Sequence, residues 1–501
     1  MRFKLLALAL IASTIGLSAP ADLRLIDAVK AQDEAAVGAL LKQRVDVNAQ
    51  QGDGATALHW AADLDNLAIA DLLIRAGARV DAANDLGSTP LHLACTNRSA
   101  SMVDRLLEAK ANANAKLLNG ETVLMTCART GEAKAVRALL THGADAKAKE
   151  NEHDQTALMW AAAETHPDVV ALLIEFGADI RARSRIYSQT VVGEQTQRAG
   201  REKLNYDVPR GGSTPLLFAA RIGDAESATL LLNAGADPND SLPDGTSALI
   251  LAAHSGQGNV AAVLLDKGAN PNALGSGYTA LHAAVLRSDL KLVKALLAHK
   301  ADPNIRMIRG TPVRRDTMDF NLLAPLIGST PYLLAAKFLE TEIMQTLAAG
   351  GSDPKLTMPN GDTALMLAAG MDSGTEEDRR GINIIDFGKV ETDKQVLPTV
   401  IAAFNLSGAV NAANQTGETA LHAAVTHRYE TVIRFLVDHG AAVNAKNKAG
   451  VTPLAMVNAS METARQHQVL ASAGNASSGS GPPVDDTTRI AALLRKLGAT
   501  E

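Results

Sequence analysis

Residues 87–95 read GSTPLHLAC, and the phrase returns along the chain as GATALHWAA from 54, GETVLMTCA from 120, DQTALMWAA from 154, GSTPLLFAA from 212 and GTSALILAA from 245. It continues as GYTALHAAV from 277, GSTPYLLAA from 328, GDTALMLAA from 361, GETALHAAV from 417 and GVTPLAMVN from 450, which makes eleven copies. Where no insertion intervenes, the starts lie 32 to 34 residues apart. A second phrase, Gly-Ala-x-x-x-Asn or a close variant, begins 21 residues after the Thr (Ser247 once) in nine copies. Gly77, Gly143, Gly177, Gly235, Gly268 and Gly440 mark it, with Lys110, Lys300 and Gly351 in the same register. Two registers kept together define one repeated unit, so length alone says nothing about domain count.

Local chemistry explains the phrase. Thr89, Thr214, Thr330 and Thr452 can cap a helix N-terminus, and the Pro after each sits at the first helical position, where no amide partner is lost. Leu91 with Ala94, and Leu281 with Ala284, recur at helical spacing, the Ala letting paired helices approach. Later Leu pairs such as Leu72-Leu73, Leu106-Leu107 and Leu231-Leu232 supply the buried face of a second helix, and a closing Gly accepts the left-handed conformation that ends it. One unit reads helix, turn, helix, extended finger. It cannot bury its apolar stripe alone, so neighbours must stack. The composition agrees: at 47% hydrophobic but 3% aromatic, the core must come from closely packed Ala, Leu and Val.

The pattern resembles the ankyrin repeat over nearly all of residues 22–501. The resemblance implies an all-α solenoid of about twelve helix-turn-helix repeats with β-hairpin-like fingers and long loop insertions. Residues 22–55 fit an N-terminal cap repeat, because Leu23 lies 33 residues before Thr56. Insertions are expected on the finger side at 184–211 and 305–327, and inside repeats at 371–397 and 472–486. The last, SAGNASSGSGPPVDD, has the composition of a flexible loop, and a C-terminal helix at 487–501 follows it.

Residues 1–21, MRFKLLALALIASTIGLSAPA, carry Arg2 and Lys4, an apolar run from Leu5 to Leu17 and the small residues Ala19 and Ala21. This is the pattern of a secretory signal peptide, and it predicts a periplasmic or secreted protein starting near Asp22. No later run is apolar enough to span a membrane. Losing Arg2 and Lys4 moves the formal charge from −6 to −8, which argues against nucleic acid as a partner. Cys95 and Cys127 are the only cysteines and fall in adjacent repeats. Helix axes about 8–10 Å apart against a Cα limit of about 7 Å make buried thiols the expected state, with a disulfide the alternative left open.

No motif for a metal, a phosphate loop, a haem or a nucleophilic triad is present, so no cofactor, metal or catalytic residue is assigned. His59, His92, His282 and His422 share one slot, which the resemblance assigns to tying neighbouring fingers together rather than to metal. What remains is recognition of a protein partner by a monomer. The resemblance places binding residues at the fingers and at the seventh and eighth positions after the Thr, a line that includes Arg129, Arg221, Arg287, Lys337 and Phe338. The insertions add Tyr187, Arg198, Arg201, Lys203, Tyr206 and Arg210 in the first, and Arg309, Arg314 and Arg315 in the second. Arg and Tyr suit interface centres, so an acidic segment is the expected ligand of a basic groove with two flaps. The alternatives are a secreted effector acting on a host protein, and an enzyme or redox-enzyme accessory with Asp207, Arg210, Asp316 and Asp319 on the insertions.

Overall fold

The computed structural model describes residues 22–197, 200–311, 324–371, 393–472 and 484–500. The expected signal segment, Arg198, Arg314 and Arg315 lie outside them. The chain divides into two compact units, Met1–Asp179 and Ile180–Glu501.

The first unit holds five helix pairs, from Arg24–Lys30 with Glu34–Lys42 to Ala157–Ala163 with Pro167–Glu175. The second holds seven, from Pro215–Ile222 with Ala225–Asn233 to Pro453–Ser472 with Val484–Lys496. Within each unit the first helices pack on the first helices of the neighbouring pairs. Leu58, Leu217 and Leu333 on the first helices, and Leu73, Leu106, Leu139 and Leu264 on the second, are fully buried. The helix starts follow from the Thr: its Oγ1 accepts from the backbone of the third residue on, as Thr122 does from Met125 at 3.2 Å, and Pro90, Pro215 and Pro331 sit at the opening turn.

A second set of bonds joins neighbours edge to edge. The amide of Asn48 donates to Gly77 O (3.2 Å) and its oxygen accepts from Arg79 N (2.7 Å); Asn114 does the same with Gly143 O (2.9 Å) and Asp145 N (2.8 Å). The rung spans 29 residues at Asn48, 47 from Asn304 to Gly351 and 54 from Asn444 to Gly498. The step between repeats is thus constant while the chain between the partners grows. This looping-out makes Val484–Lys496 the second helix of a repeat begun at Thr452.

Three expectations need correction. Residues 184–211 are not a loop: β1 (Tyr187–Gln197) and β2 (Gly200–Arg210) form an antiparallel ribbon, from the pair Tyr187 and Arg210 to the pair Gln197 and Gly200. Residues 393–397 and 484–486 are helical, opening Asp393–Ser407 and Val484–Lys496; in the first of these Val396 is buried and belongs to the packed face. Cys95 and Cys127 are joined in a disulfide with Cα atoms 4.7 Å apart. The axis separation of helices overstates the gap here, since Ala94 and Ala128 beside the bridge are fully buried and too small to hold the backbones apart. No helix among the described residues is long and apolar enough to cross a membrane.

Candidate protein-recognition site

Three of the four buried slot histidines, His59, His282 and His422, join two repeats. Thr56 N donates to His59 Nδ1 (3.1 Å), so the ring proton sits on Nε2, which donates to Ser88 O at 3.0 Å. His282 reaches Ser329 O (3.3 Å) and His422 reaches Val451 O (3.4 Å) in the same way. Burial pushes the His92 and His282 rings down to about 4 and lowers those of His59 and His422. These rings are neutral struts.

The helix-end slots are occupied differently from the sequence expectation. A helix leaves its last carbonyls without partners, and here residues of the next repeat supply them. In the first unit Asn97 donates to Ala62 O (3.2 Å), Thr130 Oγ1 to Cys95 O (3.0 Å), and His166 Nε2 to Arg129 O (3.0 Å). In the second unit Arg287 donates to His254 O (3.0 Å), and burial, opposed by a hydrogen bond that the ring donates to the Gly370 carbonyl, holds the His427 ring below the usual imidazole range. Arg129 is also engaged: its guanidinium lies 3.4 Å from the buried carboxylate of Glu121 and 5.0 Å from the Trp160 ring centre. Arg129 and Arg287 therefore have partners within the array. Arg221 is exposed, beside Ile222 at 49% exposure, whereas Lys337 and Phe338 are half-buried.

The ribbon leaves the second unit through a built neck. Ser184 N donates to Ser213 O (3.0 Å) and Gly212 N to Ser184 O (3.2 Å). Arg183 spans the gap, donating to Gly212 O (2.7 Å) and Ser241 O (3.1 Å) and pairing with Asp240. Asp240 also accepts from Thr214 Oγ1. Gly211, at φ +78°, must be glycine, since a Cβ there would stand 1.9 Å from Arg185 O. Beyond the neck Arg210 Nε donates to Gln189 (3.0 Å), and Thr190 to Asp207 (2.7 Å). Tyr187 is 47% exposed; Arg201, Lys203 and Tyr206 are placed by backbone register alone, opposite Thr196, Glu194 and Val191. Among the described residues, neither strand makes more than incidental contact with a helix.

The second insertion repeats the neck. Met307 N donates to Ser329 O (2.8 Å), Gly328 N to Met307 O (2.7 Å), and Arg306 to Gly328 O (2.6 Å) and Thr357 O (2.7 Å). Arg309 donates to the carbonyls of Ser276, Gly275 and Asp244 at 3.0–3.1 Å, so it too has partners within the array. A family model for ankyrin repeats in three copies matches residues 25–117, 99–184, 202–307 and 395–468.

The chain is an ankyrin-repeat protein. Ankyrin repeats are generally protein–protein interaction modules and typically non-catalytic. The matched stretches leave out residues 185–201 and 308–394. Sequence reasoning missed two further features of this ankyrin array. Leu86 and Leu118, 69% and 73% exposed, are adjacent finger tips of the first unit, Leu118 N donating to Leu86 O at 3.1 Å. The signal for Leu86 was its position between Asn84 and Gly87, whose turn bonds (Ser88 N to Asn84 Oδ1, 2.9 Å) leave the intervening side chain outward.

Proposed function

We propose that this chain is an exported, non-catalytic recognition scaffold of a bacterial cell envelope, whose partner is a protein that presents an acidic segment to the ribbon formed by β1 and β2. The carrying observation is that the ribbon is fastened at its neck by Arg183 and, among the described residues, makes no more than incidental contact with a helix. Beside the neck Arg181 donates to Gly235 O at 3.3 Å. Residues 184–211 carry Arg185, Arg198, Arg201, Lys203 and Arg210 against Glu194, Glu202 and Asp207, a basic excess within a chain of net charge −6. Arg129, Arg287 and Arg309 also hold partners within the array. An enzymatic reading finds no support in the ribbon, where Asp207 and Arg210 stand three positions apart and so on opposite faces.

Export is supported by residues 1–21 and by the disulfide, a bond that persists in oxidising compartments. Affinity capture from the envelope with the chain from Asp22, compared with a chain whose ribbon residues 187–210 are replaced by a short turn, tests the reading. A partner held by the parent alone, and released as salt rises, is expected. Equal and salt-insensitive capture by both chains would overturn it, and N-terminal sequencing of the native protein should begin at Asp22.

A further inference from the structure

We propose that β1 is a self-pairing edge: β1 of one copy pairs antiparallel with β1 of a second copy about a twofold axis through Val192. The backbone parity of the ribbon carries the argument. Gln197 and Gly200 are partners separated by a two-residue connection, which makes them a mutually hydrogen-bonded pair. Counting back from there, the N–H and C=O groups of Ser188, Thr190, Val192, Glu194 and Thr196 point away from β2. Pro209 checks this parity independently. It pairs with Ser188, an outward position, the only kind that a residue without an N–H can occupy in a ladder without losing a bond.

The two edges differ in the way that separates a guarded edge from an open one. On β2 the outward positions are Arg201, Lys203, Asn205, Asp207 and Pro209; a proline and cations are the devices that keep strands apart. On β1 the outward positions contain no proline, no cation and the single acid Glu194. Tyr187, Ser188, Gln189 and Thr190 are exposed.

The open edge is also self-complementary, which selects a second copy over a foreign strand as the occupant. The five outward residues are centred on Val192, so a twofold axis there uses both backbone groups of every one of them. The pairs formed are Ser188 with Thr196, Thr190 with Glu194, and Val192 with itself, and none places two like charges opposite each other. The product is a four-stranded sheet ordered β2-β1-β1-β2. A two-stranded ribbon alone is marginal in water, and added strands relieve that weakness. The association departs from the single-chain state expected from the sequence, and it leaves the β2 edge with Arg201 and Lys203 open to the acidic partner proposed above.

Sedimentation velocity and light scattering on the chain from Asp22, across a range of concentrations, read the proposal directly. The parent is expected to double its mass as concentration rises. Val192→Lys and Val192→Glu each place like charges on the axis and are expected to stay monomeric, while an equimolar mixture of the two recovers the doubled mass. Asn205→Lys, at the matching position of β2, leaves the dimer intact. Helical circular dichroism and the melting profile, unchanged in all variants, exclude unfolding as the cause. A parent that remains monomeric throughout, a Val192→Lys chain that still doubles, or a mixture that does not, each overturns it.

Discussion

At His59, His282 and His422 one ring holds a boundary: Nδ1 accepts from the Thr of its own repeat and Nε2 donates to a carbonyl of the next. That division works only for the neutral ring. Folded values near 4 for His92 and His282 lie below the ordinary 6.5, so the unfolded chain binds more protons between those limits. Stability is full above about pH 6.5 and is lost as pH falls toward 4, by roughly 3 kcal/mol per ring at most. Thermal melts across that window should show the loss, and His282→Gln should remove part of it. The disulfide is the second residue-scale term. It closes a loop with a sequence separation of 32, so Cys95→Ser with Cys127→Ser is expected to lower stability by about 3–4 kcal/mol on the chain-entropy account, measured by denaturant titration against the oxidised parent. The Thr role was legible in the sequence because both partners of the cap lie within four residues, whereas the His role came from the resemblance, its second partner lying 29 residues away at His59. The engagement of Arg129 and Arg309 was not, since their acceptors are a buried Glu121 and backbone carbonyls of other fingers.

Among the elements, the helices were legible and the ribbon was not. A Thr followed 21 residues later by Gly leaves little freedom to the helix pair between them. YSQTVVGEQTQ, by contrast, is polar with a Gly at its centre, a composition shared with loops, and its strand identity becomes clear only from the paired register with residues 200–210. The neck explains why such a segment can hold a direction. Removing Arg183 breaks bonds to Gly212 O, Ser241 O and Asp240 together and leaves a carboxylate whose side chain is 10% exposed without its cation. Arg183→Met is expected to lose about 1–3 kcal/mol locally. Hydrogen exchange should report it as faster exchange at 187–190 and 207–210, with the helices Pro215–Ile222 and Ala225–Asn233 unaffected; uniform exchange rates across both variants would contradict the role given to the neck.

For the whole molecule, the division into two compact units predicts a composite melt, since arrays of repeats lose strict two-state behaviour when their parts differ in stability. The disulfide lies wholly in the first unit. Reduction should therefore shift one transition by calorimetry and leave the other in place; a single transition that moves as a whole would contradict the division. The matching necks have a wider consequence. Arg183 and Arg306 fasten insertions whose chain lengths differ, through the same bonds to the returning glycine and to the next finger. What passes between the two sides of a neck is invisible to the stack, so each neck is a socket, and a foreign hairpin with compatible ends could be fitted into either while the array beneath it folds as before.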